Sequence, residues 1–380
     1  MKKIFIISSV VLGFILLLLA VYNLAFRNNV NNPFVDSKKT IEVKSLDATD
    51  FAAAKNTAIS VIADEKVMAP TYDSKENSVL YFVSQKREIK KVSVDTSSTM
   101  SLMTLSGEPL RAVWSPSQKQ VLAEMRTYQE TRWYMIDIEK KTETALKSGI
   151  EKPIWTSLGD RIVYKYYDAK TKERSLNIAN PDGSDWKKIA DSPFKNMSAA
   201  VTPQGSLLAF WNQGNAYEET SLRMVSLIGG DVKTVFSGKF GADYVFSPDG
   251  QKILLSSTNQ KGGTSTMLGL LLNQGTQYQN LLIPTLAAKA TWSKNSTSLY
   301  YALPGALPDN AVMPNDYFSK PLVTQDTFWK VNVETGEKKR IVETKDIDKG
   351  YDASFMSVSD DETALVFVNR TDGKLYRIKL

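Results

Sequence analysis

The chain of 380 residues contains no histidine and no cysteine. Without histidine no Ser-His-Asp relay can be assembled. Without cysteine there are no thiol nucleophiles, thiolate metal sites, disulfides or lipidated cysteine anchors. The nucleophile-elbow pattern G-x-S-x-G, the P-loop and the dinucleotide fingerprint are missing as well. No cofactor and no metal site is expected, and the chain is read as a non-enzyme. A dominant charge sign is also lacking: Lys and Arg number 47 against 41 Asp and Glu. Lys2, Lys3 and Arg27 account for half of the +6 surplus, so the rest of the chain stands at about +3 with its charges interspersed. Nothing resembles a basic stripe, which argues against a nucleic-acid partner.

One long apolar run is present. Residues 4–26, IFIISSVVLGFILLLLAVYNLAF, carry no charge. As a helix they would extend about 34 Å, enough to cross a hydrocarbon core. A cleavable secretory leader has a shorter apolar stretch of about 7 to 15 residues and a small-x-small cleavage site. An uncleaved anchor over residues 1–27 is therefore expected. Lys2 and Lys3 place the N-terminus on the cytoplasmic side and the remainder outside, periplasmic or extracellular. Residues 28–67 begin with a polar, turn-rich tether and include DATDFAAAK at 47–55, which has the look of a capped helix start.

Residues 68–380 repeat. A small polar anchor recurs at Asp73, Ser115, Thr156, Thr202, Ser247, Ser293 and Ser359, with intervals of 42, 41, 46, 45, 46 and 66. The preceding residues are Tyr72, Trp114, Trp155, Val201, Phe246, Trp292 and Val358, five of them aromatic, which marks them as packing wedges. Seven positions after each anchor lies the middle of an apolar run, so each unit opens with two strands joined by a tight turn. Pro248-Asp249-Gly250 and Pro203-Gln204-Gly205 supply suitable turn chemistry. A third strand with period-2 alternation follows, then a more polar fourth, for instance residues 233–236. Units of roughly 40 to 50 residues with four strands each predict an all-β fold, a β-propeller of about seven four-stranded blades after one transmembrane helix. The seventh unit stops at Leu380 without its outer strand, and an N-terminal strand at 40–43 or 58–62 is expected to complete it.

Phe246-Ser247-Pro248-Asp249-Gly250, with its partial copies Trp114-Ser115-Pro116-Ser117 and Val201-Thr202-Pro203-Gln204-Gly205, resembles the repeat of the TolB-type, WD40-like propeller family. The resemblance implies the propeller fold and leaves function open, because such propellers serve many roles. TolB proteins carry an α/β domain before the propeller. Residues 28–67 are too few for it, so a role in the Tol system is not implied.

The stretched sixth interval is the distinctive feature. An insertion at 303–326 separates the second and third strands and holds Pro304, Pro308, Pro314 and Pro321 with the aromatic pair Tyr317-Phe318. Pro314, Asp316, Tyr317 and Phe318 are taken as the candidate partner-binding residues. The opposing expectation is that the insertion folds back over a blade edge. Asp346 with Asp348, and Asp360-Asp361-Glu362, are candidate carboxylate pairs, although turn acids usually serve the turn. The reading is a membrane-anchored scaffold that binds a protein of the cell envelope. A glycan-binding module is the first alternative, and a carboxylate-dependent carbohydrate enzyme is the second.

Overall fold

The computed structural model describes residues 58–319 and 322–380. The anchor at 4–26, the tether, the helix start at 47–55, the strand expected at 40–43 and Pro321 lie outside them. Among the described residues no helix is long and apolar enough to cross a membrane.

The described chain is almost wholly antiparallel sheet, arranged in sequence order. The first sheet runs β2 (Met68–Asp73), β3 (Ser78–Val83), β4 (Glu88–Ser93) and β5 (Thr99–Thr104). The second is β6 (Glu108–Trp114), β7 (Gln120–Arg126), β8 (Thr131–Asp137) and β9 (Thr142–Ala145). The third is β10 (Ile150–Trp155), β11 (Ile162–Tyr167), β12 (Arg174–Ala179) and β13 (Lys187–Asp191). Next comes a seven-stranded sheet. It comprises β14 (Met197–Val201), β15 (Leu207–Asn212), β16 (Glu219–Ser226), β17 (Lys233–Phe246), β18 (Ile253–Thr258), β19 (Met267–Leu272) and β20 (Gln277–Asn280).

The sequence predicts two separate strands where β17 is continuous. Its first half pairs with β16 and its second with β18, and the register breaks between Phe240 and Asp243. Gly241 bends the strand there at φ +58°, and an added Cβ would lie 2.5 Å from Pro314 Cδ. Only glycine fits.

The remaining sheets are β21 (Ala290–Trp292), β22 (Ser298–Pro304), β23 (Asp326–Asn332) and β24 (Lys338–Arg340), then β25 (Ala353–Val358), β26 (Ala364–Asn369) and β27 (Leu375–Lys379). The last sheet takes its fourth strand from the other end of the chain. β1 (Ile59–Ala63) pairs with β27, with Ile59 opposite Ile378. Of the two segments expected to fill this place, the one at 58–62 does so. One apolar cluster joins Ile62, Val366 and Leu375 of this sheet to Val79, Tyr81 and Val92 of the first, so the two ends of the repeat pack together. Glu65 adds a polar clasp, accepting hydrogen bonds from Tyr81, Lys86 and Lys90.

The repeated phrase has two jobs. In six of the seven units the anchor hydroxyl accepts the backbone N–H five residues on, at 2.9 to 3.3 Å (Gln120, Arg161, Leu207, Lys252, Ser298, Ala364). It satisfies an amide that the tight turn leaves unpaired inside the protein. The aromatic before the anchor wedges neighbouring sheets. Trp114 donates to the Ala69 carbonyl at 2.7 Å and Trp155 to that of Val113 at 2.8 Å, each reaching back one sheet.

Candidate functional site

Antiparallel strands put the first-to-second and third-to-fourth turns at one end of the sheets. The second-to-third loops and the connections between units lie at the other end. The insertion joins β22 to β23 and so belongs to this second end. β22 and β23 stay paired as far as Pro304 opposite Asp326, and the chain between them carries a short helix, α1 (Asn315–Ser319).

The insertion folds back onto its own end of the disk. Asn315 Oδ1 accepts the Ala216 N–H at 2.8 Å, and its amide donates to Asn215 Oδ1 at 3.2 Å, tying α1 to the β15–β16 loop. The Met313 N–H donates to the Gly263 carbonyl at 3.0 Å, in the β18–β19 loop. Leu286, Met313 and Tyr317 form a small apolar core of their own, with Leu307 and Leu322 packed against it.

Beneath that core lies a buried ionic cluster. The Lys289 side chain is fully buried just before β21. Its ammonium donates to Asp326 Oδ2 (2.6 Å), Asp352 Oδ1 (2.7 Å), Thr324 Oγ1 (2.9 Å) and the Ala353 carbonyl (3.0 Å). The Tyr317 hydroxyl donates to Asp352 Oδ1 at 2.9 Å. Arg370 donates to Asp352 Oδ2 at 2.9 Å and to the Tyr317 carbonyl at 3.0 Å, with its guanidinium 4.0 Å from the Tyr317 ring centre. Two cations face two carboxylates, so the cluster is neutral overall. The two carboxylates differ. Burial pushes both upward. At Asp326 burial wins over Lys289, and one carboxylate oxygen has no hydrogen-bond partner. At Asp352 the Lys289 ammonium, Tyr317 and Arg370 together outweigh burial and hold the carboxyl below the usual range. Burial, with the nearby Asp352 charge, drives the Tyr317 hydroxyl far above its ordinary value. The phenol is a fixed hydrogen-bond donor at any physiological pH.

The four candidate partner residues thus separate. Tyr317 and Asp316 face inward. Tyr317 seals the ionic cluster, and Asp316 accepts the Val312 N–H at 2.9 Å within the loop. Pro314 packs over Gly241. Phe318 is 60% exposed, and Val323 beyond it is 55% exposed. Phe318 also forms one wall of a small cleft of about 120 Å³, with Pro314, Leu286, Gly241, Ser256 and Asp243. Tyr217, half exposed, stands over Gly262 in the neighbouring loop.

Asp243 keeps one edge open to this cleft while the protein packs densely around its carboxyl. Burial pushes its pKa up, and the hydrogen bond from Trp211 Nε1 at 3.1 Å only partly offsets the effect. A carboxyl whose folded pKa is raised stabilises least when ionised. Wild-type stability therefore falls as pH rises from the unfolded value of about 3.9 through the folded one. Asp243→Asn retains an acceptor for Trp211 and lacks that fall. Its stability relative to wild type, measured by urea unfolding, should increase from acid to neutral pH, and a constant difference would refute this assignment.

The carboxylate pairs suggested by the sequence sit elsewhere and are engaged within turns or across to the neighbouring sheet. Asp361 accepts the Ser359 hydroxyl at 2.6 Å and the Thr363 N–H at 3.2 Å. Asp360 pairs with Lys294 at 2.5 Å, and Glu362 accepts from Tyr300 at 2.5 Å and Lys330 at 2.6 Å. Asp348 accepts the Tyr351 hydroxyl at 2.7 Å, while Asp346 is exposed.

No family model matches the chain, and no curated protein matches it. Solved structures do. An oligogalacturonate lyase in complex with manganese superposes with TM-score 0.63 at 11% identity, over 86% of this chain and 94% of that one. The Cps50 (Swd1) β-propeller domain of Myceliophteria thermophila gives 0.56 at 8%, over 85% and 99%. TolB from Acinetobacter baumannii gives 0.47 at 13%, over 72% and 62%. The fold is a β-propeller. At these identities the likeness is one of fold alone.

Proposed function

We propose that this chain is a membrane-anchored, extracytoplasmic seven-bladed propeller that binds a protein of the cell envelope without catalysing a reaction. The count of seven treats β17 as the fourth strand of one blade and the first of the next, as the bend at Gly241 supports. Residues 4–26 serve as the anchor, and residues 28–57 span from it to the closing strand.

The observation that carries the binding role is the contrast within the insertion. Its backbone and Tyr317 are fastened to the disk by the buried cluster, while Phe318 and Val323 are left in solvent beside a cleft. An apolar contact held in place before binding loses little conformational entropy on association. Aromatic anchors next to a pocket are the usual source of interface energy. A carboxylate-dependent enzyme would need two acids facing one cleft, whereas the acids singled out from the sequence bind Ser359, Lys294, Lys330 and Tyr351 instead. The glycan reading has the lyase-like fold behind it, and that likeness does not reach the level of residues.

The test is Phe318→Asp in the full chain. Recovery of a co-purifying protein from detergent-solubilised membranes should fall at least about tenfold, as expected for losing a central aromatic contact, with thermal stability unchanged. Undiminished recovery would remove the proposal. Alkaline extraction should leave the chain with the membrane pellet, and release into the supernatant would overturn the anchor.

A further inference from the structure

The same end of the disk carries a second cleft, away from the insertion, where β6, β10 and the start of β14 meet. Its volume is about 270 Å³, and its walls include Arg111, Lys152, Lys165, Arg174 and Lys195 against Glu124 and Glu151. Five cations face two carboxylates, in a chain whose charges are elsewhere nearly balanced. Among the described residues Lys152, Arg174 and Lys195 have no ion-pair partner.

The two carboxylates are already engaged. Glu151 pairs with Lys165 at 2.6 Å and Glu124 with Arg111 at 3.5 Å. Lys165 is nearly buried, and its ammonium also donates to the Lys195 carbonyl at 2.5 Å, so it cannot swing out to water. Lys152 is aimed by a bulge. Its φ is +46°, the register of β10 shifts between Glu151 and Ile154, and its ammonium donates to the Met197 carbonyl at 2.7 Å. Burial lowers the Lys152 pKa, and the neighbouring Lys165 and Arg111 charges lower it further. Arg174 lies with its guanidinium 4.5 Å from the Tyr167 ring centre, and its Nε is buried without an acceptor.

A buried guanidinium nitrogen without an acceptor, beside clustered ammonium groups that repel one another, costs free energy unless an anion joins them. A planar guanidinium stacked on an aromatic ring is arranged for two parallel hydrogen bonds to a carboxylate. We propose that the cleft between β6, β10 and β14 binds a small dicarboxylate, with Arg174 taking one carboxylate and Lys152 neutralising the second. This site is independent of the Phe318 face.

Isothermal titration of the full chain in detergent with succinate tests it. Wild type should bind saturably. Arg174→Gln and Lys152→Gln should each weaken binding by at least about tenfold, equivalent to about 1.4 kcal/mol. Arg174→Lys keeps the charge but loses the fork, and it should bind as poorly as Arg174→Gln. Far-ultraviolet circular dichroism confirms that each variant is folded, and either position suffices if the other fails to fold. Absence of saturable binding to wild type would overturn the proposal. So would inorganic phosphate binding as tightly as succinate with no loss in the variants, which marks a diffuse positive field.

Discussion

Lys289→Met should destabilise the protein by about 3–5 kcal/mol, the cost of stranding buried carboxylates without their cation. Asp326 and Asp352 are both buried, and Asp326 already has an oxygen without a partner. Methionine fills the space of the lysine stem but leaves both negative charges facing each other across it. The loss should be largest near neutral pH, where both acids must ionise or hold protons at a cost. Adding Asp326→Asn and Asp352→Asn to Lys289→Met should recover part of the stability, because neutral amides do not repel. Before global unfolding the insertion should come loose, since Tyr317 is fastened through Asp352. Limited proteolysis would then cut within residues 305–325 in the variant before it cuts the sheets. A loss below about 1 kcal/mol by urea unfolding, the size of an exposed pair, would show that the cluster does not hold the loop.

The second large effect lies at the ring closure. Ile59→Ala and Ile62→Ala each remove a buried side chain from β1, which is 2% exposed at Ile59 and 3% at Ile62. Ile62 packs in the cluster shared by the first and last sheets, and Ile59 packs beside Phe367, Tyr376 and Ile378. Each substitution should cost about 2–5 kcal/mol. The double variant consumes much of a typical margin of about 5–15 kcal/mol. It also weakens the cover that β1 gives the edge of β27, so it should aggregate when warmed. Val61→Ala, at an exposed position of the same strand, is the control and should change stability by under about 0.5 kcal/mol. Equal behaviour of the three variants would mean that β1 does not close the ring.

Much of this fold was legible because its unit is local. A hydroxyl that must reach the amide five residues away, and an indole that must reach one sheet back, impose fixed offsets in sequence, and those offsets survive even where Ser-Pro-Asp-Gly itself does not. The closing strand was legible as a need, since the last unit lacks its outer strand, and one of the two segments named from sequence meets it. The continuous β17 was not, because residues 237–242 read as a loop until Gly241 is seen bent under Pro314. Tyr317 and Phe318 looked alike in sequence, yet a single residue step separates a sealed phenol from an exposed ring. The Lys289 cluster joins residues 37 and 63 positions apart, which no local pattern encodes. Its traces are a lysine among alanines at 287–290 and Asp352 between Tyr351 and Ala353, charges set in apolar surroundings. The same signal marks Asp243, between Ala242 and Tyr244. The basic cleft leaves no comparable mark, because its lysines and arginines come from two sheets and the loop that leads to a third.

The most direct test of the binding role is site-specific photocrosslinking in intact membranes, with a benzophenone amino acid placed at Phe318 or at Trp186. Both positions are more than half exposed, and Trp186 lies in the turn between β12 and β13 at the opposite end of the disk. A discrete crosslinked protein from position 318 and none from position 186 is the expected result. No adduct from position 318, or the same adducts from both positions, would contradict it.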